Sequence, residues 1–159
     1  MAAPGQTRLG EIPGAVYDIG CGYVTDERSV MYEALTHGIK VSVTPSFLED
    51  QSSPGDDHYV WAYSVRIENQ GDRQVQLINR HWKITDAMGR SQEVRGAGVV
   101  GEQPVLKPGE VYEYTSGTPL PTPSGIMMGA YEMSCTEGMF EVEIPAFSLD
   151  SPHQPVQIH

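Results

Sequence analysis

Residues 96–101, Gly96-Ala97-Gly98-Val99-Val100-Gly101, spell a GxGxxG pattern. In a dinucleotide-binding fold the first glycine allows a tight turn and the second lets backbone approach a pyrophosphate. The third packs a helix whose N-terminus faces the anion. Here Glu102-Gln103-Pro104-Val105 follow, and Pro104 leaves no room for that helix. The dinucleotide reading fails on this context. A shorter version survives, in which glycine-rich backbone presents N–H groups as a nest for a small anion and Arg95, with Arg90 or Arg80, supplies charge. The competing explanation is structural: the glycines permit left-handed or bulged backbone in a long loop. The candidate ligand-facing residues are therefore Arg95, Gly96, Gly98, Gly101 and Gln103, with residues 118–125 as their neighbour.

Other reactive side chains form no comparable pattern. His37, His58, His81, His153 and His159 lie far apart, and although folding could bring His81 to Asp86 and Glu102, no spacing encodes such a site. His81 reads instead as a hydrogen-bonded sheet histidine. Asp56-Asp57-His58 offers carboxylates to a hard cation, but a solvated acidic loop is the better reading. Ser116, Ser124 and Thr115 lack a nucleophile elbow. Cys21 and Cys135 are the only cysteines, without CxxC or zinc-ligand spacing, and Cys135 reads as a small buried hydrophobe. No catalytic residue, metal ligand or cofactor is expected, and the chain is not expected to be an enzyme.

The elements that must position the glycine segment are strands. Ile39, Val41 and Val43 alternate with polar residues, and Tyr59, Trp61, Tyr63, Val65 and Ile67 share one face of a longer strand. Residues 48–57 form a polar loop, and 69–72 turn the chain. The following strand carries apolar residues at Val75 and Leu77, then at Ile78, Trp82 and Ile84; that change of phase predicts a bulge near Leu77-Ile78. Residues 86–89 turn into a short strand over 91–95, and Pro108-Gly109 form the centre of a type II turn. Strands are also expected over 111–115, 129–135 and 140–149, the last broken at Pro145, with 117–125 a proline-rich loop. Trp61, Trp82, Tyr59 and Tyr63 are assigned to the core. Residues 1–36 read as a partly ordered extension with a short helical turn over 26–35, residues 37–150 as the domain, and 151–159 as a tail. The fold class expected is all-β: an antiparallel immunoglobulin or fibronectin III-like sandwich of about seven strands.

Charge narrows the partners. Ten Lys and Arg face 21 Asp and Glu, a net −11, which excludes extended nucleic-acid binding because the cations that displace counterions are missing. Residues 66–107 differ, with seven cations against five acids, leaving three against sixteen elsewhere. No apolar stretch suggests a secretory signal or a membrane span, so the expected location is the cytoplasm. In that reducing compartment no structural disulfide is expected.

A longer ordered set of motifs carries a resemblance. His81-Trp82-Lys83-Ile84-Thr85-Asp86, Glu93-Val94-Arg95-Gly96 and Gly98-Val99-Val100-Gly101-Glu102-Gln103-Pro104 are followed by Pro108-Gly109-Glu110 and Glu113-Tyr114-Thr115-Ser116-Gly117. Thr122-Pro123-Ser124-Gly125, Gly129, Tyr131 and Ile144-Pro145-Ala146-Phe147-Ser148-Leu149 complete the series. Over roughly residues 37–150 the chain resembles the ApaG family. Where that family usually reads Ser-Met-Arg-Gly, this sequence has Ile126-Met127-Met128-Gly129, without the cation. The resemblance implies a fibronectin III-like sandwich and a genetic link to cobalt resistance and magnesium efflux. Related domains in eukaryotic F-box and DNA-polymerase-associated proteins imply a binding role. The expected function is a non-enzymatic module for an unidentified protein partner. The alternative is binding of pyrophosphate or a nucleotide at the glycine-rich loop, possible with Mg²⁺ or Co²⁺, and a third reading is a structural subunit of a metal-efflux system.

Overall fold

Strands that alternate apolar and polar side chains can bury one face each, and two such segments pair with each other here. In the computed structural model, which describes residues 30–153, β2 (Ile39–Phe47) runs antiparallel to β3 (Tyr59–Asn69), with Ile39 opposite Asn69 and Phe47 opposite Trp61. Two 3-10 turns, Glu49–Gln51 and Pro54–Asp56, occupy the loop between them. The other strands are β1 (Tyr32–Thr36), β4 (Val75–Asp86), β5 (Ser91–Ala97), β6 (Val105–Leu106), β7 (Val111–Leu120), β8 (Gly125–Cys135) and β9 (Gly138–Leu149). One sheet has the order β1-β2-β3-β7 and the other β5-β4-β8-β9, with β6 also on β4. The molecule is an all-β sandwich of two antiparallel sheets.

The layers meet over an aromatic centre. Tyr63 and Trp82 ring centroids lie 5.4 Å apart, and Phe147 sits 5.8 Å from Tyr63 and 6.0 Å from Trp82. Trp61, Ile67, Leu77, Ile84, Met127, Tyr131 and Met133 are buried around them, as is Tyr59. All four aromatic residues assigned to the core from sequence are there. Such packing supplies roughly 1.5–3 kcal/mol per large apolar side chain before entropy is charged against it.

The expected irregularities fall where the sequence changes phase. Leu77 pairs with Met133 but Asn79 with Glu132, so Ile78 is the extra residue of a bulge. At Pro108-Gly109, Glu110 N–H donates to the Lys107 carbonyl at 2.9 Å and Gly109 adopts φ +87°, as a type II turn requires. Between β4 and β5 the buried Asp86 carboxylate accepts the Met88 and Arg90 amides at 2.9 and 3.0 Å and Arg90 Nε at 3.1 Å. Burial pushes this carboxyl up, but those hydrogen bonds and the guanidinium outweigh it and hold it below its ordinary range. The turn thereby fixes where β5 begins.

The seven expected strands are all present among the described residues, with β1 and the two-residue β6 in addition. Two expectations are corrected. Residues 32–36 are strand and not helical turn or loose extension, because a tight turn at His37 (φ 50°) and Gly38 (φ 80°) folds them back on β2. The rest of 26–35 up to residue 29, like Cys21 and the tail beyond 153, lies outside the described residues. Residues 117–120 finish β7 instead of opening a loop; β7 is an edge strand, where the missing N–H of Pro119 is tolerated. No helix among the described residues is long and apolar enough to cross a membrane.

The sandwich has two open sides. On one, β1 and β9 meet: Glu143 N–H donates to Thr36 Oγ1 at 3.3 Å and Tyr32 packs 6.2 Å from Phe147. On the other, the edges of β7 and β5 face each other across the layers, and the glycine-rich loop folds over this side.

Candidate functional site

The loop is an excursion from the edge of the second sheet. After β5 the chain leaves β4, and at Val105 it returns as β6. Within the excursion Val99 and Glu102 exchange two backbone hydrogen bonds of 2.8 and 2.9 Å. Val100 (φ 49°) and Gly101 (φ 77°) form the left-handed centre of that turn. Val99 is wholly buried in the core. An apolar side chain thus plugs the open side of the sandwich, and the glycines let the backbone turn sharply enough to put it there.

The bulge holds this plug in place. The Ile78 carbonyl accepts both Gly98 N–H at 2.8 Å and Gln103 Nε2 at 3.0 Å, and Leu77 N–H donates to the Pro104 carbonyl at 3.0 Å. Arg80, next inward on β4, passes beneath the loop and donates from Nη1 to the carbonyls of Ala97 at 3.1 Å and Gly98 at 3.0 Å. A Cβ on Gly96 would lie 2.8 Å from that guanidinium, and one on Gly98 2.3 Å from the Glu102 carbonyl oxygen. Gly96 therefore makes room for Arg80, and Gly98 for the turn.

Behind Arg80 lies a polar interior. The Tyr114 hydroxyl on β7 is hydrogen-bonded to that of Tyr131 on β8, and Tyr63 faces Ser116. Arg80 Nε and Trp82 Nε1 are buried without a hydrogen-bond partner. Burial pushes the Tyr63 phenol up to about 12, against the opposing effect of the nearby Ser116 hydroxyl and the Arg80 charge. Burial also raises Tyr114 and Tyr131 well above the ordinary tyrosine range.

The five candidate residues consequently separate. Gly96, Gly98 and Gly101 are met by turn geometry and by Arg80. Gln103 fastens the loop to β4. The amides of Gly98, Val99 and Glu102 are spent on backbone carbonyls, and the groups offered to Arg80 are carbonyl oxygens, which repel an anion. Arg95 stands apart: its side chain is 72% exposed on the outer face of β5, 3.8 Å from Glu93. His81 lies beside it, 3.6 Å from Glu93, rather than near Asp86 or Glu102. Cys135 is half-buried rather than enclosed, because it ends β8 at a crevice of about 460 Å³ lined by Ile39, Val75 and Phe140.

The strand that carries Arg95 is the most open feature here. Asp86 N–H donates to Arg90 O and Gly98 N–H to Ile78 O, both in the β4–β5 register. Antiparallel alternation then directs the even-numbered residues of β5 at β4 and turns the N–H and C=O of Ser91, Glu93 and Arg95 outward. Nothing in the sequence reading singled out this edge. Its signal was the absence of proline from 91–97.

Known proteins match most of this chain. The family model described as ApaG domain matches residues 49–135. The Protein ApaG of Paramagnetospirillum magneticum is 65% identical over 130 residues, which is 81% of this chain and 100% of the relative. That of Parvibaculum lavamentivorans is 63% identical over the same shares. A crystal structure of the ApaA protein from Bordetella pertussis superposes with a TM-score of 0.70 at 54% identity, covering 73% of this chain and 95% of that one.

Proposed function

This chain belongs to the ApaG family, and we propose that it works in the cytoplasm as a non-enzymatic module that binds a protein partner by strand addition along β5. The observation that carries this reading is the unprotected edge. Folded proteins normally blunt exposed edges with proline, bulges or a covering segment. Among the described residues β7 has Pro119, β9 is bent by a bulge at Pro145-Ala146, and β1 and β9 lean on each other. Among the described residues β5 has none of these devices, and five of its seven residues are exposed. Main-chain hydrogen bonds along such an edge give affinity, and alternate side chains give selectivity.

The anion reading finds less support, since the loop turns three amides inward and shows carbonyls to its nearest guanidinium. The family's genetic link to cobalt resistance and magnesium efflux is compatible with a module that binds a protein of such a system, and it requires no metal on this chain.

Arg95→Pro tests the reading. Its N–H points away from β4, so proline removes an edge donor and costs the ladder nothing, with an expected stability change of about 1 kcal/mol or less. Immobilised wild-type protein and variant are compared by quantitative capture from lysate of a bacterium that carries an ApaG protein. Proteins enriched by the wild type are expected to fall at least tenfold on the variant. Equal capture by both, or enrichment by neither, contradicts binding of another protein by strand addition at β5.

A further inference from the structure

The pattern of charges on the open edge identifies one strand that fits it. We infer that β5 pairs antiparallel with β5 of a second copy of this chain, about a two-fold axis through Val94; this rests on the reading of β5 as the binding edge. In that register Glu93 lies opposite Arg95 of the second copy, Arg95 opposite its Glu93, Gln92 opposite Gly96, and Ser91 opposite Ala97.

Three observations converge on this register. Odd-numbered residues present their backbone groups outward, so Glu93 and Arg95 of the other copy form a hydrogen-bonded pair, exchanging two N–H···O=C bonds. Val94 then meets its own symmetry mate at a non-hydrogen-bonded position, where side chains come closest. Val94 is half-buried against the core, so the contact extends an apolar layer already present. Side-chain charge selects among the alternatives. Moving the axis to residue 93 sets Glu93 against Glu93, and moving it to residue 95 sets Arg95 against Arg95. Only the Val94 axis puts opposite charges directly across, which is favourable, whereas like charges across a pair are destabilising.

The surrounding charge favours the same approach. Two copies at −11 each repel, but residues 66–107 carry seven cations against five acids and contain the whole of β5. This is the part of the molecule that a second copy can approach with least repulsion. The product is an isologous dimer with a continuous sheet, β9-β8-β4-β5 joined to its symmetry mate.

Sedimentation velocity over a concentration series tests this on the wild type, Arg95→Glu and the double variant Glu93→Arg/Arg95→Glu. The wild type is expected to dimerise as concentration rises. Arg95→Glu, which faces Glu93 with a second carboxylate, is expected to weaken the dimer at least tenfold. The double variant restores opposite charges and is expected to recover most of that loss, which a damaged fold would not. A wild type that stays monomeric at every concentration overturns the inference, as does a dimer insensitive to Arg95→Glu or one not rescued by the double variant. The proline comparison reports separately on the edge, because it reads capture of other proteins.

Discussion

Gly98→Ala is expected to lower the unfolding free energy by about 2–5 kcal/mol, the sum of left-handed strain and steric overlap. Gly98 sits at φ +65°, where a Cβ costs a non-glycine residue about 1–2 kcal/mol. The added Cβ would also lie 2.3 Å from the Glu102 carbonyl oxygen, which accepts the Val99 amide and cannot retreat without opening that turn. Relief requires the excursion to lift, and lifting withdraws Val99 from the core and the Gly98 carbonyl from Arg80. Urea unfolding of wild type and variant measures the loss as a lower midpoint. Gly101→Ala is the comparison: its φ is +77° but nothing lies within 4 Å of the added carbon, so only the strain remains. A Gly98 variant as stable as the wild type would mean that the loop does not close the core.

The second large effect is alkaline unfolding. Tyr63 keeps its proton up to about 12, and Tyr114 and Tyr131 are raised well above 10 by burial. In the unfolded chain all three ionise near 10. Between those limits the unfolded state holds fewer protons than the folded one, so stability falls as pH rises. Tyr63 alone removes about 3 kcal/mol across the two units, and Tyr114 and Tyr131 add to the fall in the same direction. Set against a total stability of about 5–15 kcal/mol, cooperative unfolding is expected between pH 10 and 12. Tyrosinate absorbance and tryptophan fluorescence should change together there, since Trp61 and Trp82 share this core. Tyrosines that titrate near 10 while the fluorescence stays native would contradict a sealed interior.

How much of this was legible in the sequence depended on the range of the interaction. The period of two from Tyr59 to Ile67 and the phase change at Leu77-Ile78 are local, and both reappear in the strand and bulge found there. So does the Pro108-Gly109 turn. β1 was missed because its alternation is weak: Leu35 stays 63% exposed while only the other face touches the sandwich. The end of β7 was missed because a rule for central strands was applied to what proved to be an edge.

The glycine motif shows a different limit. Its spacing is compatible with an anion nest and with a sharp backbone excursion, and only tertiary contacts separate them. Arg80 beneath Gly96, and the Glu102 carbonyl against Gly98, are brought together by pairing across the sheet. The Val99-Val100 pair between glycines was the one local hint, since an apolar residue at the centre of an anion loop has no task there. Arg95 was read from sequence as a cation for an anion held by the loop; its place on the β5 edge required the strand order.

Residue-resolved amide hydrogen exchange on dilute, monomeric protein tests most directly the claim that the loop is closed and the β5 edge open. The Gly98, Val99 and Glu102 amides, each donating to a backbone carbonyl, should exchange slowly, near the rate set by global unfolding. Those of Glu93 and Arg95 should exchange orders of magnitude faster despite lying in a strand. Slow exchange at Glu93 and Arg95 together with fast exchange at Gly98 and Val99 would contradict it, leaving a sealed edge and a loop whose donors are free for a ligand.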